Sequence, residues 1–492
     1  MLTGIALLFI FLGMAVLMFL RKMPVLIALP LMAVAIALVG GIPVSAVLTE
    51  VIGKGSVRLA EAFTISMFGG MLSFFLQKTG VAESLIKKGA ELSGDDPWSV
   101  GIIMLLLVVL LFTTLGGLGA IIMVATIVLP IMASVGMTPM IAGGLFLIGI
   151  AAGGTLNAGN WALYIGVMGL EVVTVRNYAL MLAAVMVLFA VVFMTVELRR
   201  ARQIRSLTPY IRRAGIVAAS AALLAAAASL APQGSLSVVW DGAVRWGTLV
   251  FELVLAAVGV AALIGIVSDL MRKRTGTAEV PAVRWYSYLI PVLPLVLILF
   301  YQVHFITAFF VALLYGYVVT LRKGSLNILT QAVLEGSSSV MPAVVLMFGI
   351  GMLLNAIIGP SGYAQQTGSE WPVIGYLRPL IAEVVPTTWT GYLFGFTLAA
   401  PLALYRGPLN VWGLGYGIAA VMLATGVIAP PAIMAMLLSV GQLQSVCDPT
   451  NTQNVWIANE LKLDVQSIMW RTLPYIWALA FCGLLIGVVM FY

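Results

Sequence analysis

Leu156-Asn157-Ala158-Gly159-Asn160 and Cys447-Asp448-Pro449-Thr450-Asn451 are two short polar, turn-forming runs, each set in an otherwise apolar stretch of membrane-spanning length. Asn157 and Asp448 stand 291 residues apart, and the same offset pairs Gly116 with Gly407, Leu118 with Leu409, Pro139 with Pro430, Asn160 with Asn451 and Leu170 with Leu461. Pro449 lacks an amide hydrogen and Gly159 is a poor helix former, so each run predicts a broken helix. One unit used twice, with an interrupted hydrophobic segment at corresponding positions, is the sequence pattern of a secondary transporter, whose solute and coupling ions bind at the breaks.

Composition bounds what surrounds the two runs. Apolar residues make up 62% of the 492 positions and charged residues 9%. The apolar stretches lack the alternation of a membrane β-barrel, so the fold expected is an all-α polytopic membrane protein. Residues 2–20 match the bilayer in length, precede the first charge at Arg21 and lack a small-residue cleavage site; they read as a retained first helix, not a signal peptide. The formal net charge of +7 comes from Lys and Arg gathered in a few loops, which is a topology signal and not the footprint of a nucleic-acid partner. One histidine, His304, excludes a histidine metal site by inventory, and Cys447 and Cys482 make no disulfide framework.

Placing the basic clusters at 21–22, 87–88, 199–213, 272–274 and 322–323 on the inner side puts both termini outside and gives a domain plan. Residues 1–198 form inverted repeat one: scaffold helices, a re-entrant hairpin at 98–135 turning at Thr114-Leu115-Gly116-Gly117, and a broken helix at 139–170. Residues 199–275 form a linker with two transmembrane helices, at 214–230 and 248–270. Residues 276–492 form inverted repeat two, with a first span from Tyr288 to Tyr301, a re-entrant hairpin at 388–427 and a broken helix at 433–458. Short segments at 44–58, 82–92 and 324–334 read as interfacial helices. Ser337-Ser338-Ser339 reads as an N-cap cluster for an apolar helix at 341–358. Met67-Phe68-Gly69-Gly70-Met71 and Met347-Phe348-Gly349-Ile350-Gly351-Met352 read as small-residue faces for close helix packing.

Asparagine and aspartate inside a membrane helix are costly unless they meet partners, and a break supplies both freed carbonyls for a cation and half-helix N–H groups for an anion. Thr155, Asn157, Asn160, Asp448, Thr450, Asn451, Thr452 and Asn454 are the candidates for that inner shell, with helix capping as the alternative role. Thr155, Asn157, Asp448, Thr450, Asn451 and Thr452 form the coupling-ion set. Asp448 is the only acidic residue in either break: it would ligate Na+ with neighbouring oxygens or carry a coupling proton, and the residues leave both open. Arg406, between two apolar runs, would cost roughly 2.5–3.5 kcal/mol at mid-bilayer and suits a bidentate carboxylate contact; the alternatives are an ion pair with Asp448 or an interfacial, snorkelling side chain. Glu383 is the second proton-site candidate, Glu252 reads as structural, and His304 reads as a surface residue.

Hairpin tip, proline, broken helix and terminal helix occur in this order twice, and the chain thereby resembles the ion transporter superfamily, which includes citrate, dicarboxylate and gluconate permeases. The turns at 114–119 and 405–410 and the breaks GGTLNAGN and CDPTNTQN carry the resemblance. It implies a homodimer in a cell membrane (a bacterial inner membrane), an elevator-type movement, and uptake of a small organic anion driven by H+ or Na+ with no other cofactor. The solute would lie between the hairpin tips and the breaks, on Thr114, Gly116, Gly117, Asn157, Asn160, Arg406, Asn410, Thr450, Asn451 and Asn454. Thr114-Leu115-Gly116 and Arg406-Gly407-Pro408 stand where the sodium-coupled dicarboxylate branch carries Ser-Asn-Thr, so a gluconate-like monocarboxylate stands beside citrate and dicarboxylates. The rival functions are a cation/proton antiporter on the same scaffold and, more remotely, an intramembrane enzyme. The sequence offers that enzyme neither HExxH nor a nucleophile beside a base, and no enzymatic activity is expected.

Overall fold

The computed structural model describes residues 2–20, 22–203, 252–253, 256–268, 271, 283–299, 301–322, 324–360, 362–363, 367, 369–381 and 385–492. Of these, 82% are helical and none is in a strand. The first half runs α1 (Leu2–Phe19), α2 (Val25–Val39), a π-helical turn at Val47–Lys54, α3 (Ala60–Lys78), α4 (Val81–Ser93), α5 (Pro97–Phe112), α6 (Leu118–Ser134), α7 (Pro139–Thr155), α8 (Ala158–Met168) and α9 (Val172–Arg200). The second half runs α10 (Leu293–Leu299), α11 (Phe305–Val319), α12 (Ser325–Ile358), α13 (Pro372–Ile381), α14 (Trp389–Ala399), a 3-10 segment at Ala400–Arg406, a π-helical turn at Val411–Gly415, α15 (Tyr416–Thr425), α16 (Pro430–Cys447), α17 (Thr452–Glu460) and α18 (Val465–Phe491).

Among the described residues four helical stretches are long and apolar enough to cross a membrane: α9, α12, 430–460 and α18. The pair α7 and α8, bent by 51° at its break, makes a fifth if taken as one span. Leu156 and Asn157 separate α7 from α8, and residues 448–451 separate α16 from α17. The stretch 98–135 holds α5 and α6, which pack together across the turn at 113–117, and the stretch 388–427 holds α14, the 3-10 and π segments and α15.

Packing groups these helices into two sets. One is built on α3 and α12, which cross in backbone contact: a Cβ placed on Gly336 would stand 2.6 Å from the Gly70 carbonyl oxygen and 2.6 Å from Met71 Cα. In the other, α9, α16 and α18 are tied by the buried Tyr178 hydroxyl, which lies 2.6 Å from Ser439 Oγ and donates to the carbonyl of Gly483 at 3.0 Å or of Ala435 at 3.1 Å. Glu197, buried on the last turns of α9, joins α18 as well: Arg471 Nε lies 2.6 Å from one carboxylate oxygen, while Arg200 and the Tyr475 hydroxyl donate to the other.

Three expectations from the sequence need correction. Residues 324–334 and 341–358 are not an interfacial helix followed by a separate span; they are the one 34-residue helix α12. Ser337 and Ser339 cap nothing, because their hydroxyls bond back to the carbonyls of Val333 (2.6 Å) and Gly336 (2.7 Å) and the helix runs through them. The span expected from Tyr288 to Tyr301 is broken into a 3-10 turn at Trp285–Leu289 and the two-turn α10. Of the linker helices, 214–230 lies outside the described residues, and 248–270 is described mainly as the apolar helix Ala256–Ser268.

Candidate functional site

At the first break the side chains of α8 take up the carbonyls that α7 leaves open. Asn160 Nδ2 donates to Gly154 O at 2.7 Å and Trp161 Nε1 to Thr155 O at 2.7 Å. Asn157 is the N-cap of α8: its Oδ1 accepts from Gly159 N at 2.9 Å, while its Nδ2 faces Phe112 O (3.2 Å) and Leu115 O (3.3 Å) at the tip of the α5–α6 hairpin. These bonds satisfy part of what a broken helix leaves open, namely the carbonyls of Gly154 and Thr155 and the N–H of Gly159.

The second break repeats the device, and only its contact to the tip is reversed in polarity. Asn451 Nδ2 donates to Gln444 O at 3.3 Å, Gln453 Nε2 to Ser445 O at 2.8 Å and Asn454 Nδ2 to Asp448 O at 2.9 Å. Asp448, the counterpart of Asn157 by the 291-residue offset, also reaches the tip of its hairpin, but as an acceptor. Its Oδ1 takes hydrogen bonds from Tyr405 N (3.1 Å), Thr450 N (2.9 Å) and Thr450 Oγ1 (2.7 Å), and Arg406 N approaches Oδ2 at 3.5 Å. Tyr405 and Arg406 hold left-handed backbone angles, φ 54° and 57°, which place their two N–H groups on the carboxylate. Such a conformation strains any residue with a Cβ, and the buried carboxylate offsets it.

Between the breaks lies a cavity of about 290 Å³. Four helical starts line it: Gly117 before α6, Asn157 and Gly159 at α8, Val411 of the π-helical turn, and Gln453 in the first turn of α17. Ser66, Gly69 and Gly70 of α3 and Val340 and Ala343 of α12 form another wall. The remaining polar lining comes from Thr114, Thr155, Asn160, Tyr164, Tyr416, Gln442, Gln444 and Ser445, and no lining residue carries a formal charge. Gln444 Oε1 accepts from Val411 N at 2.8 Å, fixing one of the four starts. Gln442 donates through Nε2 to Leu438 O (2.7 Å) and Thr155 Oγ1 (3.2 Å), and its Oε1, also buried, meets no donor.

Of the residues singled out in the sequence, Thr114, Gly116, Gly117, Thr155, Asn157 and Asn160 line this cavity. Arg406 does not: the tip's backbone faces Asp448 and the Arg406 side chain is exposed, with no carboxylate paired to it among the described residues. The suggested Arg406–Asp448 ion pair is therefore replaced by a backbone contact. Asn410 is buried, 3.4 Å from Ala403 O, and Asp448, Thr450, Asn451 and Asn454 knit the second break and are not part of the cavity lining. Thr452 is exposed at the start of α17. Glu383 lies outside the described residues, Glu252 is exposed, and His304 is exposed beside Glu61. The sequence reading passed over Ser66, Gln442, Gln444, Ser445 and Gln453. The signal for the two glutamines was there: two uncharged amides inside the apolar run 430–447, where every polar group needs a partner or a ligand. No family model matches this chain, and no curated protein matches its sequence.

Proposed function

We propose that this protein is a secondary transporter that carries a small organic carboxylate across a cell membrane, coupled to H+ or Na+. The observation that carries the reading is the meeting of both breaks at one uncharged cavity, with the starts of α6 and α8 in its lining. A helix N-terminus presents free N–H groups and about half a positive charge, so several together hold an anion without a buried cationic side chain. A solute held by dipoles also leaves no unpaired charge in the site when it departs, which suits a carrier that must release what it binds. The cavity matches the lower end of small-molecule sites in size. The unpartnered Gln442 Oε1 asks for a donor, which a hydroxyl-bearing acid supplies. Gluconate and citrate both carry a hydroxyl, and the single carboxylate of gluconate places the smaller charge in a cavity without cationic side chains, so a gluconate-like hydroxy acid leads.

The inverted repeat is supported by Asn157 and Asp448, equal in offset and both bonded to a hairpin tip. The elevator movement is supported by the cavity wall on α3 and α12: glycines and small side chains present a smooth face to the broken-helix body. Asp448 with Thr450 remains the proposed coupling-cation site, and the homodimer and the placement of both termini outside belong to the same proposal. The antiporter reading fits less well, because helix N-termini and a lining without a carboxylate disfavour a cation in the cavity itself.

Thermal stabilisation of the detergent-purified protein tests this. Gluconate, succinate, citrate and acetate are compared with and without sodium and at two pH values. A ligand at a hundred times its dissociation constant adds about 2.7 kcal/mol. Stabilisation by gluconate above the others is the expected result; stabilisation by cations alone would transfer the assignment to the antiporter.

A further inference from the structure

A second cavity, of about 350 Å³, opens at the C-terminal end of α8, and its lining is unlike that of the first. It holds two arginines, Arg58 and Arg176, with one carboxylate, Glu61, which already faces His304 Nε2 at 3.0 Å. Arg58 donates through Nη1 to Asn355 Oδ1 (2.6 Å) and Gly359 O (2.8 Å), and Arg176 through Nη1 to Leu299 O (3.4 Å) and through Nε to Asn177 Oδ1 (3.2 Å). Each guanidinium keeps its Nη2 free of hydrogen bonds among the described residues. Val172 and Val173 open α9 and Phe305 opens α11 on the same cavity, and neither N-cap residue, Glu171 or His304, bonds its helix through its side chain. Two arginines and two uncapped helix starts thus line one space with an excess of positive charge.

The two cavities are consecutive along one seam. On α3, Glu61 and Ala62 line the second cavity and Ile65 and Ser66 the first; on α8, Gly166, Ile165 and Ala162 line the second, and Gly159, Asn160 and, on the neighbouring face, Tyr164 line the first. A step of three residues along a helix is about 4.5 Å, so the gap between them is less than one turn. We propose that the second cavity is an antechamber: it binds the free carboxylate through Arg58 and Arg176 and passes it along the α3–α8 seam to the uncharged site. This rests on the carboxylate reading of the first cavity. Charge is placed where capture from water needs a long-range field and withheld where the solute must be released.

The test is binding of radiolabelled gluconate, succinate and citrate to the intact protein in phosphatidylcholine nanodiscs, with association rates measured in low and high choline chloride. Wild type is expected to take two equivalents of the recognised acid, the weaker one lost at high salt. Arg176→Gln is expected to take one equivalent and to associate about tenfold more slowly at low salt, with dissociation from the retained site unchanged; Arg176→Lys recovers much of the rate. One equivalent in wild type, with a salt-independent association rate, overturns the antechamber and leaves the transporter reading standing. That wild-type measurement decides the matter even if Arg176→Gln fails to fold. Binding of none of the three acids overturns both. In nanodiscs containing phosphatidylglycerol the second equivalent should persist; its loss there alone would show that the cavity belongs to a lipid phosphate and overturn the proposal.

Discussion

Tyr405 and Arg406 are two successive non-glycine residues in the left-handed region, and their N–H groups end on Asp448. Two consequences are measurable. Arg406→Gly removes a steric cost of about 1–2 kcal/mol and takes nothing from the cavity lining, so the protein should melt higher and bind its ligand as before; a lower melting point would mean that the guanidinium has a partner essential to the fold. Asp448→Ala leaves the tip's buried donors unmet and should cost about 1–3 kcal/mol, read as a fall in melting temperature. In the central cavity, Gln442→Leu should preserve the fold and erase the preference for hydroxylated over plain carboxylates in competition binding. Much of this scale was legible: polar residues in apolar runs announced both breaks. What could not be read was direction. A sequence shows that Arg406 carries a charge between apolar runs, but whether its side chain or its backbone turns inward depends on φ at the tip.

At the scale of the element, the crossing of α3 and α12 depends on Gly70 and Gly336, whose backbones touch. Gly336→Leu should force the helices apart and destabilise the protein by at least about 1–3 kcal/mol. Gly119, on α6, has open space where a Cβ would stand, and Gly119→Ala should be neutral or stabilising by up to about 1 kcal/mol. The pair of melting curves separates packing from helix propensity. The sequence located Gly70 on a packing face but missed Gly336, because the serines after it suggested a helix start. Serine hydroxyls bonded to carbonyls within the same helix allow the opposite outcome. Tyr288 to Tyr301 failed as a span for a related reason: apolar content alone does not choose between one long helix and two short turns.

For the whole molecule, the all-helical architecture followed from hydropathy, since every backbone group in lipid must be satisfied within the protein. The assembly of the cavity did not follow, because glutamines from α16 and glycines from α3 meet only after the two helix sets have packed. The account of the whole is that the uncharged cavity carries a carboxylate between two sides of a membrane. Uptake of radiolabelled gluconate, succinate and citrate into proteoliposomes holding the purified chain, under an imposed inward proton gradient and separately an inward sodium gradient, tests it most directly. The account predicts accumulation of gluconate above its external concentration under one of the two gradients, abolished by Asn160→Leu. Failure of all three acids to accumulate under either gradient, in vesicles that exchange protons for sodium, would contradict it.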